Sequence, residues 1–546
     1  WNDTAQLNYL MPQVREAVIQ TILQVARQFP IIRFDAAMTL AKRHIQRLWF
    51  PEPGTGGAIA SRADYGLPKA QFDALIPVEF WREVVDRAAV EAPDTLLLAE
   101  AFWMMEGYFV RTLGMHRVYN SAFMNLLRDE DNARYRTVMK NTLEFDPEIL
   151  KRYVNFMNNP DERTAVDQFG KGDKYFGICT LMATMPGLPM FGHGQIEGFT
   201  EKYGMEYRRA YWEERPDEYL VQRHEREIFP LFHRRYLFSG VDHFLLYDFF
   251  SAEGGVNEDV FAYSNRAGDE RSLVVYHNRF GTARGWVRNS VAYSAKAGDD
   301  RTLVRKTLGE GLGLRGGDDD FLIFRDHASG LEYIRSSKEL AEQGLYLELG
   351  AYKYHVFLDL REVRDNEWRQ YSHLNSYLGG QGVPSIDEAL RETFLRPIHH
   401  TFRELVNARM IHRLMQEHIA ARTVEPSAPL LDDVESTALN LLREVKQFTN
   451  TMGDETEIAR ELRTTLAALL RMPADDLQHD AKDLNGGTGK SAGDPAVWGA
   501  LLSWLFTQSL GRVAGEEGYE QQSRTWIDEW LLGKIIAGTL QDLGLD

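Results

Sequence analysis

Apolar positions recur along the chain first at alternating helix and strand spacings, then at strand spacing, then at helix spacing. Val14, Val18, Ile22, Val25 and Phe29 share one side of a helical period between Pro12 and Phe29, predicting an amphipathic helix that Pro30 ends. The run Ile31-Ile32-Arg33-Phe34 follows as a strand. The alternation then repeats, with a helix over 78–92 before the strand Leu96-Leu97-Leu98-Ala99 and a helix over 132–153 before the strand of Asp161. Pro216 to Phe238 reads as the last helix of the series. Residues 51–76 hold several Gly and Pro without a period and read as a long loop.

Beyond Phe238 come short β-rich runs separated by Gly and Asp clusters: Phe244-Leu245-Leu246-Tyr247, Val260-Phe261-Ala262-Tyr263, Ser272 to Tyr276, Phe321-Leu322-Ile323-Phe324 and Tyr354 to Leu358. They predict an antiparallel β-sandwich. From about Arg361 the pattern is helical again, with candidates at 398–419, 432–448, 455–472, 497–510 and 524–540. At 546 residues, a prior of about 150 per domain agrees with several domains. The boundaries expected are 1–238, 239–361 and 362–546.

A net charge of −18, from 80 acids against 62 bases, opposes a nucleic-acid or anionic-membrane partner but leaves neutral polymers unaffected. The single cysteine, Cys179, excludes an intrachain disulfide and sits in an apolar run, so it reads as inert core. A cytoplasmic protein is the simpler expectation. No apolar run approaches the roughly 18 residues of a membrane span. Gly486 to Ser491 lacks the first glycine and preceding strand of a phosphate loop. His399-His400 reads as a surface pair, His224 to Glu227 does not complete a metal-binding helix motif, and Asp318-Asp319-Asp320 reads as a solvated turn.

Three carboxylates carry the chemistry. Asp35 and Glu100 each end an apolar strand, in Arg33-Phe34-Asp35-Ala36 and Ala99-Glu100-Ala101-Phe102-Trp103, and Asp161 closes Phe156-Met157-Asn158-Asn159-Pro160-Asp161. A β/α barrel aims functional groups into one mouth in this way. These segments resemble the nucleophile, general-acid and third acidic segments of the α-amylase family of retaining glycoside hydrolases and transglycosylases. Val118 to Phe123 is similar to that family's sixth barrel strand, and Pro186 to Gln195 to its eighth strand and following loop. Together the matches cover roughly residues 1 to 240. The resemblance implies strands four to eight of a TIM-type β/α barrel, followed by a small antiparallel β-sandwich domain; the α-helical C-terminal domain matches no family feature.

By resemblance, Asp35 attacks the anomeric carbon and Glu100 protonates the leaving oxygen, then serves as base. Asp161 holds sugar hydroxyls. Glu100 then needs a raised pKa, from desolvation and nearby negative charge, while Arg33 sits two residues from Asp35 on the same strand face. Arg33, Trp103, Asn159 and His193 are the candidate substrate-binding residues; Phe102, Tyr65 and Tyr203 stand near enough to stack on sugars or to pack in the core. An α-glucan or maltooligosaccharide is the substrate implied, with no cofactor and no metal ligand set. The pattern departs from the family in three places. The Asp-x-x-x-Asn-His signature has no counterpart, so barrel strands one to three are expected upstream of Trp1. Met38-Thr39 replaces a common Lys-His, and Pro160 replaces a histidine. That last change also resembles maltosyltransferases using maltose 1-phosphate. Glycosyl or maltosyl transfer therefore stays open beside hydrolysis, as does a catalytically silent glucan-binding relative.

Overall fold

The structure, a computed structural model, describes residues 6–544 apart from 56–59, 103–104, 203–208, 298–299, 367–368, 421–424, 473–494 and 516. The chain forms two compact units, residues 1–384 and 385–546.

The first unit begins with five parallel strands, β1 (Ile31–Phe34), β2 (Leu96–Ala99), β3 (Arg117–Tyr119), β4 (Tyr153–Phe156) and β5 (Leu188–Met190), hydrogen-bonded in chain order. Parallel neighbours need crossovers, and helices at Pro12–Ala26, Phe80–Glu91, Ser121–Arg128, Asn132–Phe145 and Asp173–Thr184 lie between and before them. Phe34 pairs with Ala99, Ala99 with Val118, and Tyr119 with Val154. Across this register Phe34, Ala99, Val118 and Tyr153 lie level, so Asp35 and Glu100 follow the ends of β1 and β2 side by side, while β4 runs on to Phe156 before the loop that carries Asp161.

Several elements differ from expectation for local reasons. The first helix ends at Ala26 and buries Ile19, Leu23 and Ala26, whereas Val25 and Phe29 are exposed. Its buried side is the one facing β1 and the helix Phe80–Glu91. Residues 51–76 contain a 3-10 turn (Ala60–Tyr65) and a helix (Lys69–Leu75) anchored by buried Phe72. The helix from Asn132 stops at Phe145, because Asp146 and Pro147 start a separate 3-10 turn in which the Asp146 carboxylate accepts from Glu148 N–H. Residues 216–238 form three short helices, Glu218–Glu227, Phe229–His233 and Arg235–Ser239, with Pro230 at the first break. Cys179 is buried in the helix Asp173–Thr184, and burial pushes its thiol pKa up, away from thiolate chemistry.

The antiparallel part follows as β6 (Leu245–Ser251), β7 (Val260–Ala267), β8 (Glu270–His277), β9 (Ala283–Ser290), β10 (Tyr293–Ala297), β11 (Asp300–Val304), β12 (Asp320–Asp326), β13 (Glu332–Ser336), β14 (Leu345–Leu349) and β15 (Tyr354–Arg364). Eight of these strands join in one sheet, ordered β13-β12-β15-β8-β7-β6-β9-β14, rather than in two separate sheets; β10 and β11 form a hairpin. Alternate residues such as Leu245, Tyr247, Val260, Ala262, Val275 and Leu322 share one core, as period-two strands require. Asp320 is buried at the start of β12, whereas Asp318 and Asp319 are exposed in the turn before it, Asp318 paired with Lys338. His224 is a buried structural histidine, bonded to Leu220 O and Tyr175 Oη.

The second unit is helical, with Ile386–Phe394, Arg396–Leu405, Ala408–Ala420, Ala428–Thr449, Glu455–Arg471, Pro495–Gln508, Tyr519–Glu529 and Leu532–Asp542 around one apolar core. The helix expected over 398–419 is split because Asn407 Oδ1 caps Met410 N–H. The one expected over 524–540 is split at Leu531, which is left-handed. His399 is buried on the Trp530 carbonyl at 2.7 Å, so only His400 is a surface residue. Gly486 to Ser491 lies outside the described residues. Among the described residues no helix is long and apolar enough to cross a membrane.

Candidate active site

Strand alternation sets the geometry at the end of β1. Phe34 turns inward against Trp81, at 4.8 Å between rings, so Arg33 projects from the other face. The β1–β2 ladder continues one residue past β2, where Glu100 N–H donates to Phe34 O at 3.0 Å. This pins Glu100 beside Asp35. Glu100 is 1% exposed, while Asp35 and Asp161 are exposed.

The Arg33 guanidinium joins three strand ends. Its Nη1 is 2.8 Å from Asp35 Oδ1, its Nη2 is 3.1 Å from Glu100 Oε1, and its Nε donates to Tyr119 Oη at 2.9 Å. The other Glu100 oxygen, Oε2, accepts the Ala36 N–H at 2.9 Å. Glu100 is pushed up to about 7, first by burial and then by the neighbouring Asp35 carboxyl; the Ala36 amide and Arg33 oppose the shift. Such a group holds a proton that it can give up near neutrality.

Asp161 reaches the site on the loop after β4. Three strand spacings of about 4.8 Å separate β1 from β4 in a flat sheet. Sheet curvature and the loop close that gap, since Asp35, Glu100 and Asp161 each offer an oxygen within 4.8 Å of the others. Asn159 Oδ1 accepts the N–H groups of Asp161 (3.0 Å) and Glu162 (2.9 Å), and Lys202 Nζ donates to Asp161 O at 2.6 Å. Carboxylates this close also suit a cation; here Arg33 already brings positive charge to two of the three.

Polar atoms with no aligned hydrogen bond collect at this place. They include Glu100 Oε1, Arg33 Nη2, Asn158 Oδ1 and Asn159 Nδ2, all buried. Buried polar atoms are almost always paired, so four around three carboxylates mark an interior suited to a polar ligand. The loop after β5 presses against the same spot. A Cβ at Gly192 would fall inside the Asn158 amide, so only glycine permits that approach.

Of the sequence-predicted residues, Arg33, Asp35, Glu100, Asn159 and Asp161 come together. His193 is exposed on the loop beside Gly192, its ring 6.3 Å from Phe199. Trp103 and Tyr203 lie outside the described residues. Phe102 is half-buried against the β1–β2 core, and Tyr65 is 69% exposed. Sequence reasoning missed Tyr119, the Ala36 N–H and Lys202. Tyr119 was findable as the last residue of a strand next to Glu100's; a backbone donor and a lysine from a distant loop carry no such signal.

No family model and no curated protein sequence matches the chain. Solved structures with partial likeness include α-amylase from Geobacillus thermoleovorans complexed with acarbose, 14% identical over 65% of this chain and 65% of that one, TM-score 0.41. The acarbose-soaked debranching enzyme of Nostoc punctiforme is 14% identical over 64% of this chain and 62% of that one, TM-score 0.39. The α-amylase from H. orenii is 17% identical over 66% and 67%, TM-score 0.39. The chain thus spans just under two thirds of the first two structures.

Proposed function

We propose that this protein cleaves α-linked glucans or glucosides by double displacement, as a retaining glycoside hydrolase. The five parallel strands are read as an arc of a β/α barrel with the acids at its C-terminal mouth. The observation that carries the reading is the Arg33-bridged pair of Asp35 and Glu100, one exposed carboxylate beside one buried acid raised to about 7. Retaining enzymes hold their carboxyl groups about 5–5.5 Å apart, whereas inverting ones leave about 6.5–9.5 Å for a water. Oxygens within 4.8 Å favour the former. Asp35 gives an electron pair to the anomeric carbon while the bond to the leaving oxygen breaks and that oxygen takes the Glu100 proton. Glu100, now ionised, deprotonates the acceptor that attacks the glycosyl-enzyme. Asp161 holds sugar hydroxyls, and Asn159 fixes the Asp161 loop.

Pro160, in place of a histidine, favours transfer as the second reading. Incubation with maltooligosaccharides, with and without phosphate, separates the outcomes. New reducing ends mean hydrolysis. Redistributed chain lengths without them mean transfer, and binding without turnover would leave a silent glucan-binding protein and overturn the proposal.

A further inference from the structure

Ala36, the residue after Asp35, is left-handed at φ 42° and ψ 37°. A non-glycine residue there costs on the order of 1–2 kcal/mol and persists only where its surroundings fix it. They do so through the carbonyls of Ala36 and Ala37. The Ala36 carbonyl accepts Thr39 N–H at 3.0 Å and Thr39 Oγ1 at 2.8 Å, and the next carbonyl, of Ala37, accepts buried Trp81 Nε1 at 2.7 Å. With the turn clamped there, the Ala36 N–H is aimed at Glu100 Oε2.

We propose that the left-handed Ala36 peptide, clamped by Thr39, is a positioning element: it occupies Glu100 Oε2 and so assigns the transferable proton to Oε1. This rests on the reading of Glu100 as the acid. A neutral carboxyl has one O–H, and an oxygen already accepting an amide N–H is the natural carbonyl oxygen. Oε1 is buried, 3.1 Å from Arg33 Nη2 and without an aligned hydrogen bond. The groups around Glu100 are Arg33 from β1, Asp35 just after it, Tyr119 from β3 through Arg33, and Asp161 from the loop after β4. In the transfer, the Oε1–H bond breaks, its electrons stay on Glu100, and the proton joins the departing glycosidic oxygen. Thr39, one of the departures from the family pattern, thereby gains a role.

The test deletes only the N–H, by replacing the Ala36 amide with the ester of the corresponding hydroxy acid. Glu100 titration is followed by carbon-13 NMR of its carboxyl and by the alkaline limb of kcat/KM. An amide N–H favours the charged form, so the ester should raise the midpoint by about one pH unit. Thr39→Val should raise it less, and Ala36→Gly, which keeps both N–H and turn, should leave it in place. A folded ester variant with an unmoved midpoint, or a glycine variant that moves as far as the ester, would overturn the proposal. If the unaltered protein turned over no glucan, the functional reading would fail, while the NMR midpoint would still report on the hydrogen bond.

Discussion

Arg33 and Arg136 each lie between two acidic side chains, Arg33 at the ends of the parallel strands and Arg136 on the helix that meets the antiparallel sheet. Arg136 is fully buried, and all its donor nitrogens are engaged. Nε pairs with Glu258, Nη1 donates to Val260 O at 3.0 Å, and Nη2 donates to Tyr247 O at 3.2 Å and Asp248 Oδ1 at 2.6 Å. Lys140 adds a second cation 3.3 Å from both acids. Arg33 leaves Nη2 without an aligned hydrogen bond, faces a raised Glu100, and pairs with Asp35, which precedes the left-handed Ala36. A complete set of partners holds two layers together. An incomplete set, stabilised from outside by Trp81, Tyr119 and Thr39, leaves polar capacity for chemistry.

The sharpest way to break this contrast is Asp35→Asn. Turnover should fall by at least about 10⁴-fold, each factor of ten being about 1.4 kcal/mol, with the melting temperature nearly unchanged because the Asp35 side chain is 47% exposed. Near-normal turnover by the pure variant would remove Asp35 as nucleophile. Arg136→Met should do the reverse. It leaves Asp248 and Glu258 without their buried partner, costing about 3–5 kcal/mol, read as a lower denaturation midpoint. The fraction that stays folded should keep its kcat. An equal loss of kcat per folded molecule would mean that the two networks are coupled.

The same contrast explains what was legible in the sequence. Asp35, Glu100 and Asp161 are read correctly as neighbours because strand ends in a parallel sheet converge, and short apolar runs show where strands end. The β-rich runs of β6, β7, β8, β12 and β15 are equally plain. What the pattern hides is set by single contacts. The first helix carries a wide apolar stripe, and only its neighbours decide that Ile19 and Leu23 are buried rather than Val25. Asn407 divides a helix through one cap, and Pro147 ends another. The eight-stranded connectivity depends on pairings such as β6 with β9 and β8 with β15, which no local period encodes.

A smaller effect belongs to the structural side. Gly177, in the helix Asp173–Thr184, lies against Tyr276 of β8, where an added Cβ would fall inside the ring. Gly177→Ala should therefore cost about 1–3 kcal/mol by overpacking, measured by chemical denaturation, with Glu100 titrating as before. A neutral or stabilising result would show that the helix and β8 can slide apart, and so weaken the picture of a tightly fixed junction.

A last effect probes Glu100 through stability alone. Its folded pKa lies near 7 against an ordinary 4.5. Below about pH 4.5 the side chain is neutral in both folded and unfolded chains. As pH rises, the unfolded chain loses its proton first, so the protein loses stability until the folded group has also ionised near 7. Glu100→Gln stays neutral throughout and keeps an oxygen for the Ala36 N–H. The variant should melt together with the unaltered protein below pH 4.5, then gain on the order of a few °C across the window and hold that gain above 7. Taking the difference between the two proteins cancels every other titrating group. A flat difference would mean that Glu100 ionises as easily folded as unfolded, and the contrast between the arginines would then lose its chemical half.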